Sequence, residues 1–281
     1  MVIFIIATEF EFDGVSSSVY GLYICSFDGA KNGTSTLGDE IKFNTVKSPQ
    51  NNRWIFTDRV YETPLTFTFQ VIKYDCQSGS EPIEARELSR IMRWLVRNDG
   101  YHYLRFKQSG WDNVFYNTQL KVQKYEIAGQ IYGFEIEATC DAPWGYSEMK
   151  EYKFKYSDDV YSFNLYNYSD EDGQLLPELV KIEVLEDCNL TITNSFNLNG
   201  DENNKYFSTT TINNCKSGEV IYLDKNKNIT SSDNSHETLP DDFGYIFLYL
   251  YSDFVNEKNT ITISNPCNIT INWREIRKGV C

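Results

Sequence analysis

Apolar and polar residues alternate one by one along much of the chain, which is the pattern of β-strands with one buried and one solvent-facing side. The clearest case runs from Phe134 to Cys140, where every second residue is apolar. Shorter stretches with the same pattern are residues 65–71, 180–184, 261–264 and 269–273. Short alternating strands separated by turn-rich segments are typical of a β-sandwich or barrel.

One segment departs from this pattern. Between residues 82 and 98 the apolar positions recur every three or four residues; they are Leu88, Ile91, Met92 and Leu95. Glutamates stand at the start of this segment and arginines towards its end, an order that complements the helix dipole. The spacing predicts one amphipathic α-helix over about 82–98 that lies on a sheet, with Ser80 as its N-cap and Asn-Asp-Gly at 98–100 as its end.

A domain boundary is predicted near residues 141–145, because the alternating strand ends there in a segment with Pro and Gly. A chain of 281 residues is long enough for about two domains. Residues 1–147 hold 14 basic and 18 acidic residues, whereas residues 148–281 hold 12 and 22. The second part has no helical stripe. The sequence therefore predicts a mainly β protein with two β-sandwich domains, 1–147 with the helix and 148–281 without one.

The net charge of −14 excludes some partners. Such a surface repels phosphate backbones and anionic membrane surfaces, so neither nucleic acid nor a membrane is expected to bind. The longest apolar run, residues 2–7, is far shorter than the ~20 residues that span a bilayer, and it lacks the flanks of a signal peptide. Seven cysteines without a C-x-x-C pair argue against a disulfide framework or a zinc site, so we expect reduced thiols packed as small hydrophobic groups.

The sequence contains no recognisable catalytic motif. His102 lies in a predicted strand, and His236 lies in the polar loop 231–237, whose Ser and Asp are too close in sequence for a triad held by rigid elements. Glu135 and Glu137 share the solvent face of a strand. We therefore predict no catalytic residue, no metal and no cofactor, and the chain is not expected to be an enzyme. Glycoside hydrolysis by two of the 40 acidic residues is the least favoured alternative.

Residues 245–251 read Tyr-Ile-Phe-Leu-Tyr-Leu-Tyr and predict a strand with aromatic residues on one face. Such a strand can be buried on both sides, because aromatic residues contribute much apolar area to a sandwich core. Alternatively, Tyr245, Tyr249 and Tyr251 form a surface that binds a glycan or a protein partner. The sequence leaves both interpretations open.

Several motifs occur in an order and spacing that cover nearly the whole chain. They are Phe-Glu-Phe-Asp-Gly-Val at 10–15, Arg-Val-Tyr-Glu-Thr-Pro-Leu-Thr-Phe at 59–67, Arg-Trp-Leu at 93–95, Cys-Asp-Ala-Pro-Trp at 140–144, Asn-Tyr-Ser at 167–169, Pro-Glu-Leu-Val-Lys-Ile at 177–182 and the strands within 259–274. Together they resemble the distal tail protein family of long-tailed (siphovirus-type) bacteriophages, a tail-tip or baseplate hub component.

This resemblance implies an architecture. The first domain is expected to be a tail-tube-like β-sandwich that closes into a hexameric ring, and the second a galectin-like or carbohydrate-module-like outer domain. A ring needs two unlike, complementary surfaces on each subunit. The candidate contacts are the segment 41–54 and the strand led by Arg59 and Tyr61. Since Arg and Trp are enriched at interface centres, the nominated ring residues are Arg53, Trp54, Arg59 and Tyr61. In the alternative interpretation Trp54 is a core residue and the arginines are merely exposed.

The function implied by the resemblance is structural. The ring connects the tail tube to the tail tip or baseplate and the host-recognition apparatus, and leaves a channel through which DNA passes without specific binding. The implied partners are other copies of the chain, the major tail tube protein, the tail-tip or tail-associated hub protein, and either receptor-binding proteins or host polysaccharide. The implied location is the virion tail tip, after assembly in the cytoplasm of the bacterial host. The alternative function is a carbohydrate-binding adhesin that recognises host cell-surface glycans.

Overall fold

A computed structural model describes residues 8–27, 41–48, 53–75, 79–107, 113–157, 160–234, 236 and 238–278. The chain divides into two compact units. The first comprises residues 1–147 together with 277–281, and the second comprises residues 148–276. No helix in the described ranges is long and apolar enough to cross a membrane.

The first unit is built on one large antiparallel sheet with the strand order β2-β1-β8-β9-β10-β6-β3. Its elements are β1 (Glu9–Phe12), β2 (Val15–Ser16), a 3-10 helix (Ser17–Tyr20), β3 (Leu22–Cys25), β4 (Ile41–Lys47), β5 (Trp54–Tyr61), β6 (Thr66–Asp75), β7 (Gly79–Ser80), α1 (Ala85–Leu95), β8 (His102–Lys107), β9 (Tyr116–Ile127), β10 (Gln130–Cys140) and β11 (Gly145–Tyr146). β7 pairs with β6 outside the main order, and β4 pairs with β5 in a separate two-stranded sheet. The large sheet is therefore the framework of the unit, and the β4–β5 hairpin is not hydrogen-bonded to it.

An aromatic core joins α1 to this sheet. The Trp94 indole stacks on Phe10 at 5.6 Å and on Tyr20 at 4.9 Å between ring centroids, and its Nε1 donates to the carbonyl of Phe12 at 2.9 Å. Ile91 and Leu95 on the same helix are fully buried. The predicted apolar stripe is thus the face that packs, although the largest side chain in the contact, Trp94, was not part of it.

The helix is shorter than predicted. It begins at Ala85 and ends at Leu95, whereas 82–98 was expected. The prediction of Ser80 as the N-cap is wrong, because Ser80 belongs to β7, and Glu84 occupies the N-cap position without a side-chain capping bond. The helix ends before Asn98 because Val96 already adopts an extended conformation.

The second unit contains two main antiparallel sheets, β12-β22-β15-β18-β19 and β13-β21-β16-β17. Its elements are β12 (Lys150–Phe154), β13 (Ser162–Tyr166), β14 (Gly173–Leu175), β15 (Leu179–Val184), β16 (Cys188–Asn197), a 3-10 helix (Leu198–Gly200), β17 (Lys205–Cys215), β18 (Val220–Asp224), β19 (Ile229–Ser231), α2 (Leu239–Asp242), β20 (Leu250–Ser252), β21 (Lys258–Ile263) and β22 (Cys267–Trp273), followed by β23 (Ile276–Arg277). The short strands β14 and β20 pair with each other.

One core fills the second unit. Val180 and Ile269 from the five-stranded sheet belong to the same buried cluster as Ile192 and Ile261 from the four-stranded sheet. The prediction of a mainly β, two-domain fold is confirmed. The stretches 65–71, 134–140, 180–184, 261–264 and 269–273 all coincide with strands to within one residue, because alternation of apolar and polar residues is the pattern of a strand buried on one face.

Candidate functional site

Among the described residues of the first unit, those of the β4–β5 hairpin stand out because most of their side chains lack a packed environment. Its two strands pair in antiparallel register from Ile41 opposite Tyr61 to Lys47 opposite Trp54, with a bulge near Thr45. The backbone N–H of Ser48 donates to the carbonyl of Arg53 at 2.7 Å and continues the ladder towards the turn. An isolated two-stranded hairpin is marginally stable in water, so its apolar side chains need another surface to cover them.

Those side chains are open to solvent on both strands. The exposed fraction is 63% for Phe43 and Trp54, 57% for Val46 and Phe56, and 52% for Ile55. The rings of Phe43 and Phe56 lie 6.2 Å apart and pack mainly on each other. Exposed apolar clusters of this kind are typical of surfaces that contact a protein, a membrane or a ligand.

All four nominated ring residues lie on or directly before β5. Trp54 begins the strand and is exposed, so the alternative interpretation of Trp54 as a core residue is wrong. Tyr61 ends the strand with its ring 5.6 Å from that of Trp144 and 5.6 Å from the Lys278 Nζ. Arg53 is exposed and Arg59 is half-buried. The sequence analysis did not name Phe43, Ile55 and Phe56 as contact residues. The signal available for two of them was the unbroken Trp-Ile-Phe run at 54–56, which departs from the alternation of apolar and polar residues.

The hairpin also differs in charge from the rest of its unit. Residues 41–62 hold four basic and two acidic residues, a net charge of +2. The rest of the unit, residues 1–40, 63–147 and 277–281, holds 12 basic and 16 acidic residues, a net charge of −4. One exposed ion pair, Lys42 Nζ with Glu62 Oε1 at 2.5 Å, lies at the base of the hairpin. The hairpin is therefore apolar and basic on an otherwise acidic unit.

The second nominated surface is not a single face. The prediction of a strand over 245–251 is wrong for most of its length, since only Leu250–Ser252 is a strand. Side chains from neighbouring strands occupy the carbonyls of this segment: Asn194 Nδ2 donates to Tyr249 O at 2.7 Å, and Ser208 Oγ donates to Phe247 O at 3.2 Å. The segment is therefore held by side chains and not by a regular ladder.

The three tyrosines consequently differ in exposure and do not form one surface. Tyr245 is 69% exposed with a left-handed φ of 53°, Tyr249 is half-buried, and Tyr251 is 6% exposed. The Tyr251 hydroxyl accepts a hydrogen bond from Gln174, its ring packs at 3.9 Å on Tyr206, and burial raises its pKa. Tyr251 cannot contribute to an exposed stacking surface with Tyr245.

A buried polar cluster surrounds His236. Its Nδ1 lies 2.7 Å from Glu219 Oε1 and its Nε2 lies 3.2 Å from Asp242 Oδ2. The Ser231 hydroxyl donates to Glu219 and not to the imidazole, so the arrangement is not a nucleophile with its base. A hydrogen bond from Thr238 lowers the pKa of Asp242. The cluster ties α2 to the strands beside it. Among the described residues, no group of three or more His, Cys, Asp and Glu side chains could hold a metal ion.

Comparisons with known proteins bear on the family and the fold of the chain. A family model described as a phage tail protein N-terminal domain matches residues 5–142, and one described as a phage tail C-terminal domain matches residues 144–273. The fold is similar to the crystal structure of the Dit protein of phage SPP1, titled a paradigm of the hub adsorption apparatus in phages that infect Gram-positive bacteria. The TM-score is 0.54 at 11% sequence identity, over 95% of this chain and 98% of that chain. No curated protein sequence is a significant match.

Two β units with these matches define a structural component of a virus tail. The chain belongs to the phage tail protein family whose N- and C-terminal domains cover residues 5–142 and 144–273. The resemblance to distal tail proteins that the motifs indicated is confirmed in family and in fold.

Proposed function

We propose that six copies of this chain form a hub ring through their first units, with the β4–β5 hairpin of each copy binding the body of the next. The ring joins the tail tube to the tail tip or baseplate and its host-recognition apparatus, and DNA passes through its centre. The count of six rests on the resemblance to the distal tail proteins. The hub role is supported by the likeness of the fold to Dit of phage SPP1.

The observation that carries the proposal is the exposed, basic and apolar hairpin. A ring requires a heterologous contact, in which one patch on a subunit fits a different patch on its neighbour. The hairpin supplies the first patch, with Trp54 and Phe56 as large anchors of the kind that dominate interface energies. The net charge of −4 on the rest of the first unit is of the sign that attracts a +2 hairpin from a neighbour.

The resemblance to the distal tail proteins also supplies the other members of the proposed assembly. The two open ends of a ring meet the major tail tube protein on one side and a tail-tip or tail-associated hub protein on the other. The second units bind receptor-binding proteins or host polysaccharide. The first unit, which forms the channel in this proposal, holds 16 basic and 18 acidic residues, so it has no net positive charge that would retain DNA. Assembly takes place in the cytoplasm of the bacterial host, and the finished ring resides at the virion tail tip.

The experiment is native mass spectrometry with negative-stain electron microscopy of the full chain and of the Phe56→Ser variant. We expect hexameric rings with a central hole for the natural chain, and monomers for Phe56→Ser, because the substitution removes an anchor from the interface. Phe254→Ser is the matched control, since Phe254 is 92% exposed in the second unit and its loss leaves the ring intact.

Two outcomes contradict the proposal. One is a strict monomer that fails to assemble even when mixed with the tail tube and tail-tip proteins. The other is a ring that Phe56→Ser and Phe254→Ser leave equally stable, which moves the contact away from the hairpin. Circular dichroism of each variant establishes that the fold is retained.

A further inference from the structure

The four-stranded sheet of the second unit has an unusual outer surface. Ten outward-facing residues lie side by side across its four strands: two serines, one asparagine, six threonines and one phenylalanine. They are Ser162, Asn164, Thr191, Thr193, Ser195, Phe207, Thr209, Thr211, Thr260 and Thr262, and we name this surface the hydroxyl face. All ten are exposed or half-buried, and none is charged.

The strand register arranges these side chains in rows. One row runs Ser162, Thr262, Thr193, Thr209 across the four strands, and the next runs Asn164, Thr260, Ser195, Phe207. Thr191 and Thr211 stand opposite each other beyond the first row. On the other side the face ends where Lys258 stands opposite Tyr166 and Lys205 opposite Asn197.

Neighbouring side chains in the rows are linked to each other. Thr260 Oγ1 donates to Asn164 Oδ1 at 3.0 Å, and the hydroxyl oxygens of Thr193 and Thr209 lie 3.2 Å apart. Each hydroxyl has one donor and two acceptor positions, so these lateral bonds fix the side chains and still leave acceptor positions directed outward. The rows therefore present an ordered array of polar groups.

Strand propensity alone does not account for this surface, because the other sheet of the same unit is different. On its outer side Lys153 pairs with Glu151 at 2.7 Å and Lys181 pairs with Glu183 at 2.6 Å. Two sheets that share one core and similar strand lengths thus differ in the chemistry of their outer faces. The absence of charge from the hydroxyl face stands out in a chain with a net charge of −14.

Size and chemistry favour a small ligand over a protein. Four strands about 4.8 Å apart, with two or three outward residues along each, give an area of roughly 200 Å², against about 800 Å² per partner in a stable protein interface. The face also lacks the cluster of aromatic and arginine anchors typical of protein interfaces. A phosphorylated or acidic ligand finds no charge to pair with on the ten positions.

We infer that the hydroxyl face binds a neutral polysaccharide. Sugar hydroxyls both donate and accept hydrogen bonds, as the threonine and serine hydroxyls do. Phe207, 58% exposed at the end of one row, offers a flat apolar ring for the C–H face of a pyranose, which the electron-rich ring face attracts. This surface is distinct from Tyr245, Tyr249 and Tyr251. The inference rests on the proposed binding of host polysaccharide by the second unit, and it does not depend on the ring.

The test is affinity electrophoresis of the full chain in gels containing soluble neutral polysaccharides (a β-glucan, a galactan and a mannan) or anionic alginate. We expect at least one neutral gel to retard the chain and alginate not to. Phe207→Ala and Thr262→Glu are each expected to weaken the retardation by about tenfold or more, through loss of stacking and insertion of a charge into the rows. Thr270→Glu is the matched control on the outer side of the other sheet, and it keeps full binding.

The result that overturns the inference is a natural chain that no neutral gel retards, or equal binding by Thr262→Glu and Thr270→Glu. Retardation by alginate alone assigns binding to the Lys205 and Lys258 row and also overturns it. If Thr262→Glu instead abolishes self-association, the face is covered by a second copy and the inference fails. Thermal unfolding of each variant and ring counting by mass spectrometry separate these outcomes from misfolding and from failure of the hub proposal.

Discussion

Five cysteines lie among the described residues, and each of them is a free thiol. Cys140, Cys215 and Cys267 are buried, as expected for thiols that pack as small hydrophobic groups. Burial raises the pKa of Cys215 and of Cys267 to about 12, and that of Cys25 to about 11. These thiols therefore stay neutral in the fold at pH values where an unfolded chain ionises them.

The consequence is a loss of stability at alkaline pH. A thiol whose pKa is raised in the folded state contributes its stability below the unfolded pKa of about 9, and that stability is lost as pH rises towards the folded value. We expect the free energy of unfolding to fall between pH 9 and pH 10 by up to about 1.4 kcal/mol for each buried thiol. Urea unfolding at pH 7, 9 and 10 measures this, and Cys267→Val should flatten the decline. An unchanged slope in Cys267→Val contradicts the assignment.

Individual polar residues were the least predictable from the sequence. His236 was placed in a flexible polar loop, yet it is buried because Glu219, 17 positions earlier on another segment, reaches its Nδ1. Tyr251 is buried because Asn259 binds its backbone N–H at 2.7 Å and its carbonyl at 2.8 Å. Such contacts join distant parts of the chain, and no local pattern encodes them.

At the scale of elements, prediction succeeded where burial is one-sided. β10 is the clearest example, since Phe134 and Ile136 are fully buried while Glu135 and Glu137 face outward. It failed for residues 245–249, where aromatic and aliphatic residues alternate without polar ones and where side chains of Asn194 and Ser208 bind two of the carbonyls. Alternation of apolar with polar residues therefore predicts a strand with one buried face, whereas alternation of two kinds of apolar residue does not.

The packing of α1 on the sheet depends on Trp94. We expect Trp94→Ala to lower the free energy of unfolding of the first unit by about 3–5 kcal/mol, because it removes three ring contacts and leaves a cavity. Trp94→Phe keeps most of the packing but loses the hydrogen bond to Phe12, with a smaller cost of about 1–3 kcal/mol. Chemical denaturation followed by circular dichroism measures both.

Trp54→Ala is the control for this comparison, since Trp54 is 63% exposed and makes few contacts within its own chain. In the dissociated monomer its effect on unfolding should stay within about 0.5 kcal/mol, as for other surface substitutions. Equal destabilisation by Trp94→Ala and Trp54→Ala contradicts the view that one tryptophan holds the fold and the other serves the interface.

At the scale of the whole molecule, the Pro- and Gly-containing segment after Cys140 signals the change of unit. The structure divides the chain after Ser147, but it assigns residues 277–281 to the first unit, whereas the predicted second domain extends to residue 281. The contact of Lys278 with the ring of Tyr61 illustrates the reason. A return of a few terminal residues leaves no signal in composition or periodicity.

The last prediction concerns the effect of charge on assembly of the ring. If the +2 hairpin of one copy binds the acidic body of the next, Arg53→Glu should weaken the ring more than Arg53→Ala does, because it replaces attraction by repulsion. The difference between the two variants should narrow as salt rises from about 0.05 M to about 0.5 M, since exposed charges are screened over shorter distances. Mass photometry across that range counts rings and monomers.

Lys205→Glu makes the same change in net charge on an exposed residue of the second unit, and it should leave the ring unchanged at every salt concentration. Because the two variants differ only in where the charge lies, equal dissociation by Arg53→Glu and Lys205→Glu attributes the effect to overall repulsion and removes the hairpin from the contact.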